Sequence, residues 1–120
     1  MSTLKVTNIQ DTAGGNSSTS EEIYNGRAKA WVNFNGTGAT VTIRASFNVN
    51  SITDTGGSGN YTVNFSTAFS DNDYVVTGCY GTTPGSINFQ SPTTTDVELE
   101  LANSSGTFID RSFVTVAIFR

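Results

Sequence analysis

From Arg27 onward, apolar and polar residues alternate with a period of two. Ala28, Ala30, Val32 and Phe34 share one side of the chain, against Lys29, Trp31 and Asn33 on the other. Such alternation marks a strand with one buried face. Val41, Ile43, Ala45, Phe47 and Val49 repeat it, as do Tyr61, Val63 and Phe65, and then Val97, Leu99 and Leu101 against Glu98 and Glu100. Tyr74 to Tyr80 and Ser86 to Gln90 read as further strands. Phe113 to Phe119 is apolar on both faces, with Val114, Val116 and Ile118 on one and Phe113, Ala117 and Phe119 on the other. A strand of that kind lies at the centre of a sandwich or at a subunit contact.

Turn signals separate these runs: Asn35–Gly38, Asp54–Asn60, Ser70–Asp73, Gly81–Gly85 with Pro84, Ser91–Thr95 with Pro92, and Asn103–Gly106. Asn and Gly accept positive φ, and Pro is confined to loops and sheet edges. The pattern predicts an all-β fold, an antiparallel, jelly-roll-like β-sandwich knob of about seven or eight short strands. Upstream, Thr3 to Asp11 reads as an extended arm and Ala13 to Ser20 as a Gly/Ser-rich linker. Ser18 with Glu21 predicts a capping box for one helical turn, which Asn25-Gly26 ends. The domain division expected is therefore 1–20, an arm and linker serving attachment and assembly, and 21–120, the sandwich.

Composition narrows the chemistry. Almost half of the 120 residues are Thr, Ser, Asn or Gly, only 13% are charged, and there is no histidine. Without histidine, Ser-His and Cys-His nucleophilic constellations are excluded. The single cysteine, Cys79, forms no disulfide within the chain and reads as a small buried apolar residue. The net charge of -4, with only Lys5, Arg27, Lys29, Arg44, Arg111 and Arg120 as cations, argues against nucleic acid as a partner. Of these, only Arg27 and Lys29 lie close together. No apolar run reaches the roughly 18 residues of a membrane span, and Met1 to Lys5 carries no apolar signal-peptide core.

Few residues offer candidate chemistry, and each also has a plainer structural role. Asp71-Asn72-Asp73 offers oxygen ligands to calcium, but lacks an EF-hand's Gly and terminal Glu, so Asp71 and Asp73 are weak metal candidates beside a solvated turn. Glu98 and Glu100 share a strand face, which reads as a solubilising exposed edge before a catalytic carboxylate pair. Gly14-Gly15 and Gly56-Gly57 are not followed by the Lys of a phosphate loop. Trp31, Tyr24, Tyr61, Tyr74 and Tyr80 are potential sugar-stacking aromatics, though aromatics in a β domain belong first to the core. Trp31 stands apart because Lys29 and Asn33 place it on the polar face of its strand. An exposed Trp there points to contact with a subunit or a ligand.

Four pieces in order, Ser2–Gly15 (STLKVTNIQDTAGG), Gly26–Gly36 (GRAKAWVNFNG), Ala45–Phe65 (ASFNVNSITDTGGSGNYTVNF) and Asp73–Gly78 (DYVVTG), resemble small tail-fibre-like or virion structural proteins of marine tailed phages, especially those of cyanobacteria. They span the first two thirds of the chain; none is a chemical motif. The resemblance implies a homotrimeric β component of the virion, made in the host cytoplasm and exposed on the particle, with an N-terminal arm that attaches or intertwines. It carries over no catalytic residue, and the long shaft of a whole fibre is missing.

The function expected is a self-assembling, non-enzymatic tail-fibre-type knob that contributes to host-surface attachment. Many weak sites on one particle give strong adhesion. The expected partners are the chain itself, other virion structural proteins and a host-surface glycan, with no cofactor and no membrane insertion. Leu4, Val6, Ile9, Val114, Val116 and Ile118 are the expected assembly contacts; Trp31, Tyr74 and Tyr80 are the expected outward contacts. The alternative is a capsid decoration or head-fibre protein with a purely structural role. A host-encoded carbohydrate-binding module comes third and an enzyme last.

Overall fold

The computed structural model describes residues 1–120. Its strands are β1 (Asn8–Gln10), β2 (Ser17–Thr19), β3 (Ala30–Asn35), β4 (Thr42–Phe47), β5 (Val49–Asp54), β6 (Asn60–Phe65), β7 (Val75–Tyr80), β8 (Gly85–Gln90), β9 (Asp96–Asn103) and β10 (Val114–Phe119), with one helix, α1 (Ser20–Gly26). Eight strands form two four-stranded sheets, ordered β4-β3-β10-β7 and β5-β6-β9-β8, and every pairing is antiparallel. This is the expected sandwich. Hairpins β3–β4, β5–β6 and β8–β9 each stay within one sheet, so the likeness to a jelly roll lies in the paired sheets rather than in strand order.

The period-two pattern turns one set of side chains from each sheet towards the other. The core cluster comprises Ala30, Val32 and Phe34 of β3, Tyr61, Val63 and Phe65 of β6, Val97, Leu99 and Leu101 of β9, and Val114, Val116 and Ile118 of β10, joined by Val49. Central strands thus supply nearly all of it, and each fully buried aliphatic side chain contributes about 1.5–3 kcal/mol. Edge strands β4, β7 and β8 contribute partly buried residues such as Ile43, Val76, Ile87 and Phe89.

Three local departures from the alternation shape the rest. The long run from Val41 to Val49 is not one strand. Its pairing with β3 slips between Asn33 and Phe34, so that Phe34 opposes Ile43 while Asn33 opposes Ala45. One extra residue in a strand reverses the facing of those beyond it. Ile43 therefore faces the core, but Ala45 and Phe47 face outwards. At Asn48 the backbone takes φ 52, and the chain passes from one sheet to the other as β5. Asn tolerates this left-handed conformation better than most residues.

The N-terminal segment differs from an arm and linker. β1 and β2 pair antiparallel, Asn8 opposite Thr19, around an Asp11 turn whose carboxylate accepts the Gly15 N–H at 2.8 Å. α1 follows directly. Its capping box uses Thr19 and Glu22, one residue later than expected: Glu22 N–H donates to Thr19 Oγ1 and Thr19 N–H to Glu22 Oε2. Its terminus is Arg27 in extended backbone rather than a left-handed Gly26. None of α1's residues is buried. The unit projects from the sandwich, stretching the molecule to 52 × 28 × 25 Å and its radius of gyration to 17.3 Å, against about 14 Å for a compact chain of this length.

Candidate ligand groove

Trp31 on β3 stands directly opposite Phe47 on β4; the alternation of β3 turns the indole outside the sandwich, and the slip in register turns Phe47 out beside it. They are 40% and 54% exposed. Beside them runs a groove of about 850 Å³, bounded by α1 and the β3 entry on one side and by the β6–β7 loop on the other. Tyr24 comes from α1, Arg27 and Lys29 from the link into β3, Ser66 to Ser70 from the loop, and Arg120 from the chain end.

Each wall has a structural cause. Lys29 Nζ donates to the Tyr24 and Arg27 carbonyls at the end of α1 and lies 3.9 Å from the centre of the Tyr24 ring. A cation there meets the negative end of the helix and the face of an aromatic ring. Desolvation, then the neighbouring Arg27 charge, hold its pKa below the usual lysine value. The Arg27 guanidinium lies 5.2 Å from the same ring. Across the groove, Phe69 packs edge-on against Phe65 at 4.8 Å and lies 5.0 Å from Tyr74, which anchors the loop to the core. Asn48 ties the back wall together: its side-chain amide donates to the Lys29 and Thr67 carbonyls and its Oδ1 accepts the Thr67 N–H.

Arg120 forms the remaining edge. Its Nε and Nη2 donate to the two carboxylate oxygens of Asp71 at 2.7 and 2.6 Å. This fork, with the Asp73 N–H, lowers the Asp71 pKa to about 2. The Asp71 carboxylate in the Asp71–Asp73 turn is accordingly occupied by Arg120 and the Asp73 N–H. Nowhere do three or more Asp, Glu or Cys side chains converge as metal ligands.

The other expected site residues fall as follows. Leu4, Val6 and Ile9 are 85%, 43% and 58% exposed. Val114, Val116 and Ile118 are not: all three are buried in the core, because β10 is the central strand between β3 and β7. Tyr74 and Tyr80 also face inwards. The Tyr74 hydroxyl donates to the Thr93 and Asp96 carbonyls, and the Tyr80 hydroxyl to the Ala102 carbonyl in the opposite sheet. They bind the sandwich together rather than contact the outside. Only Trp31 of the outward set lies on the surface.

Two plainer expectations also change. Cys79 is exposed on the outer face of β7, its Sγ 3.3 Å from Thr115 Oγ1. Glu98 and Glu100 lie on β9, an interior strand, so they guard no sheet edge. Sequence reasoning missed Phe47 and Arg120 as groove residues. The Arg27–Lys29 pair was the signal available for the cationic side; nothing in the alternation marked Phe47 as outward.

The arrangement holds no nucleophile–base pair. It offers an aromatic floor, hydroxyls and three cations, which suits non-covalent recognition. No helix is long and apolar enough to cross a membrane. Comparison with protein-family models, with curated proteins and with solved structures finds no match to this chain.

Proposed function

We propose that this chain is a phage virion structural protein of tail-fibre type, a β knob that assembles with itself as a homotrimer and contributes to host-surface attachment. The observation that carries the reading is the N-terminal unit. Hairpin β1–β2 and the seven-residue α1 leave Leu4, Val6, Ile9, Ile23 and Tyr24 exposed. A helix that short and an isolated hairpin are each marginal in water. Apolar residues presented this way suit packing against another subunit or another virion protein. The sandwich then stands outwards with its Trp31 groove available to the host surface.

Gold-labelled antibody to the chain, viewed on intact virions by electron microscopy, tests this. Label at the tail or fibre tips is the expected result. Label spread over the head makes the protein a capsid decoration and removes the adhesive role. Sedimentation of the purified chain is expected to give about three times the 12.7 kDa chain mass; a monomer at micromolar concentration removes the trimer.

A further inference from the structure

We propose that the Trp31 groove binds an acidic saccharide, its aromatic floor stacking on a sugar ring and its cations meeting a carboxylate or sulfate. The proposal rests on the attachment reading and names the class of ligand.

Charge distribution is the first argument. The chain has six cations and a net charge of -4, yet Arg27, Lys29 and Arg120 all line this one groove. Half of the positive charge of an acidic protein is gathered at a single site. Asp71 and Asp73 are the carboxylates beside Arg120, which engages both oxygens of Asp71 and leaves Arg27 and Lys29 without a carboxylate partner. A concave site with one sign of charge attracts the opposite sign from solution.

The three cations play different parts. Lys29 is committed to the end of α1 and Arg120 to Asp71. Arg27 makes only its contact with the Tyr24 ring, so its guanidinium donors remain free for a planar anionic group. A small inorganic anion would gain little beyond that single residue. A sugar acid gains more. The half-exposed indole of Trp31 offers an apolar face to the C–H side of a pyranose ring, and Phe47 extends it. The hydroxyls of Ser66 and Thr67, on the same wall, make no hydrogen bond within the chain. A volume of about 850 Å³ lies within the ~300–1,000 Å³ of ordinary ligand sites and accommodates a short oligosaccharide. Nucleic acid fits poorly: beyond the groove no track of cations continues to follow a phosphate chain.

Trp31 is the only tryptophan, so its fluorescence reports on the groove directly. Full-length protein is titrated with tetragalacturonate, with a sulfated heparin-derived tetrasaccharide, and with neutral galactotetraose. The expected result is a saturable change in Trp31 emission with at least one acidic probe, at tenfold or more lower concentration than the neutral one. Arg27→Ala is expected to erase that preference, and Trp31→Ala, read by calorimetry, to abolish binding. Circular dichroism melting is expected to match the wild type for both, since both side chains are exposed. Equal binding of acidic and neutral probes overturns the proposed charge selection. No binding of either acidic probe overturns the proposal, as does an emission change that follows protein concentration without sugar, which assigns the groove to a second copy. Attachment is measured separately, by competition of soluble protein with virion adsorption. Competition without acidic-sugar binding sinks the ligand class alone; loss of both sinks the attachment reading.

Discussion

Tyr61 donates its phenolic hydrogen to Asp110 Oδ1 at 2.6 Å, and the Gly59 N–H reaches the same oxygen at 2.7 Å. The Tyr61 ring is buried in the core, edge-on to Phe34 at 5.3 Å. One carboxylate oxygen therefore joins the β9–β10 loop to the start of β6. Removing it leaves the Gly59 N–H without its acceptor and the Tyr61 hydroxyl with only the Gly36 carbonyl, 3.0 Å away. Asp110→Ala is expected to lower unfolding free energy by about 1–3 kcal/mol, and Tyr61→Phe by about 0.5–1.5 kcal/mol. Urea denaturation measures both; a neutral Asp110→Ala would falsify the role given to this oxygen.

The same bond predicts behaviour in alkali. Burial, then the Asp110 hydrogen bond and charge, raise the Tyr61 pKa well above its ordinary value of 10.0. A group whose pKa rises on folding adds stability that is complete below its unfolded pKa and fades above it. The protein is expected to lose stability above about pH 10, and Tyr61→Phe to flatten that limb. Ultraviolet titration should find one tyrosine ionising only as the fold is lost.

Asp71 shows the opposite sign. Its pKa falls from 3.8 to about 2 in the folded chain, chiefly through Arg120. Its contribution is present above pH 3.8 and is lost as pH falls towards 2. Arg120→Ala is expected to return the Asp71 carboxyl towards 3.8. Carbon-13 carboxyl titration by NMR reads this directly, and an unmoved titration would mean that the Asp73 N–H alone sets the value.

Gly59 and Gly106 separate backbone strain from crowding. Their φ values are +77° and +78°. An added Cβ at Gly59 would lie 2.5 Å from the Leu101 carbonyl oxygen and 2.7 Å from the Ile109 nitrogen, whereas at Gly106 it meets open space. Gly106→Ala is expected to cost about 1–2 kcal/mol from the left-handed backbone alone. Gly59→Ala should cost about 1–3 kcal/mol more, because backbone must shift. Equal melting temperatures for the two variants would contradict this.

Burial sets a further contrast between neighbours in register. Ile118 of β10 pairs with Val76 and is fully buried, while Phe119 pairs with Val75, which is 66% exposed. Ile118→Ala is expected to cost about 2–5 kcal/mol and Val75→Ala within about 0.5 kcal/mol. Cys79, exposed opposite Thr115 on the same pair of strands, is expected to react with a thiol reagent in the folded state as fast as in urea.

The fold was legible wherever the alternation ran unbroken. Ala30–Phe34, Tyr61–Phe65 and Val97–Leu101 each became central strands with the predicted side inwards. Where it failed, a local backbone event intervened. The slip at Asn33 and Phe34 and the left-handed Asn48 lie within a run whose residue types keep perfect alternation, so Phe47 read as core. Tyr74 and Tyr80 read as surface because hydroxyl partners that are backbone carbonyls leave no mark on the sequence. The closing strand illustrates a different limit: two apolar faces implied burial, but not that Val114, Val116 and Ile118 were already covered within one chain. Trp31 was legible for a simple reason, its polar neighbours two residues away on either side.

Asn48 does two jobs at once. Its left-handed backbone turns the chain between sheets, and its amide clasps the groove's back wall to Lys29 and Thr67. Around it, Phe47, Ser66 and Ala68 touch the groove with side chains that make no hydrogen bond to the rest of the fold. If the groove binds as proposed, recognition and architecture are divided between Asn48 and the side chains around it. A lineage under pressure to change its target has freedom to exchange Phe47, Ser66 and Ala68 while Asn48 stays. Sequence variation at those three positions around an unvarying Asn would be the imprint of a recognition surface drifting over a fixed hinge of backbone.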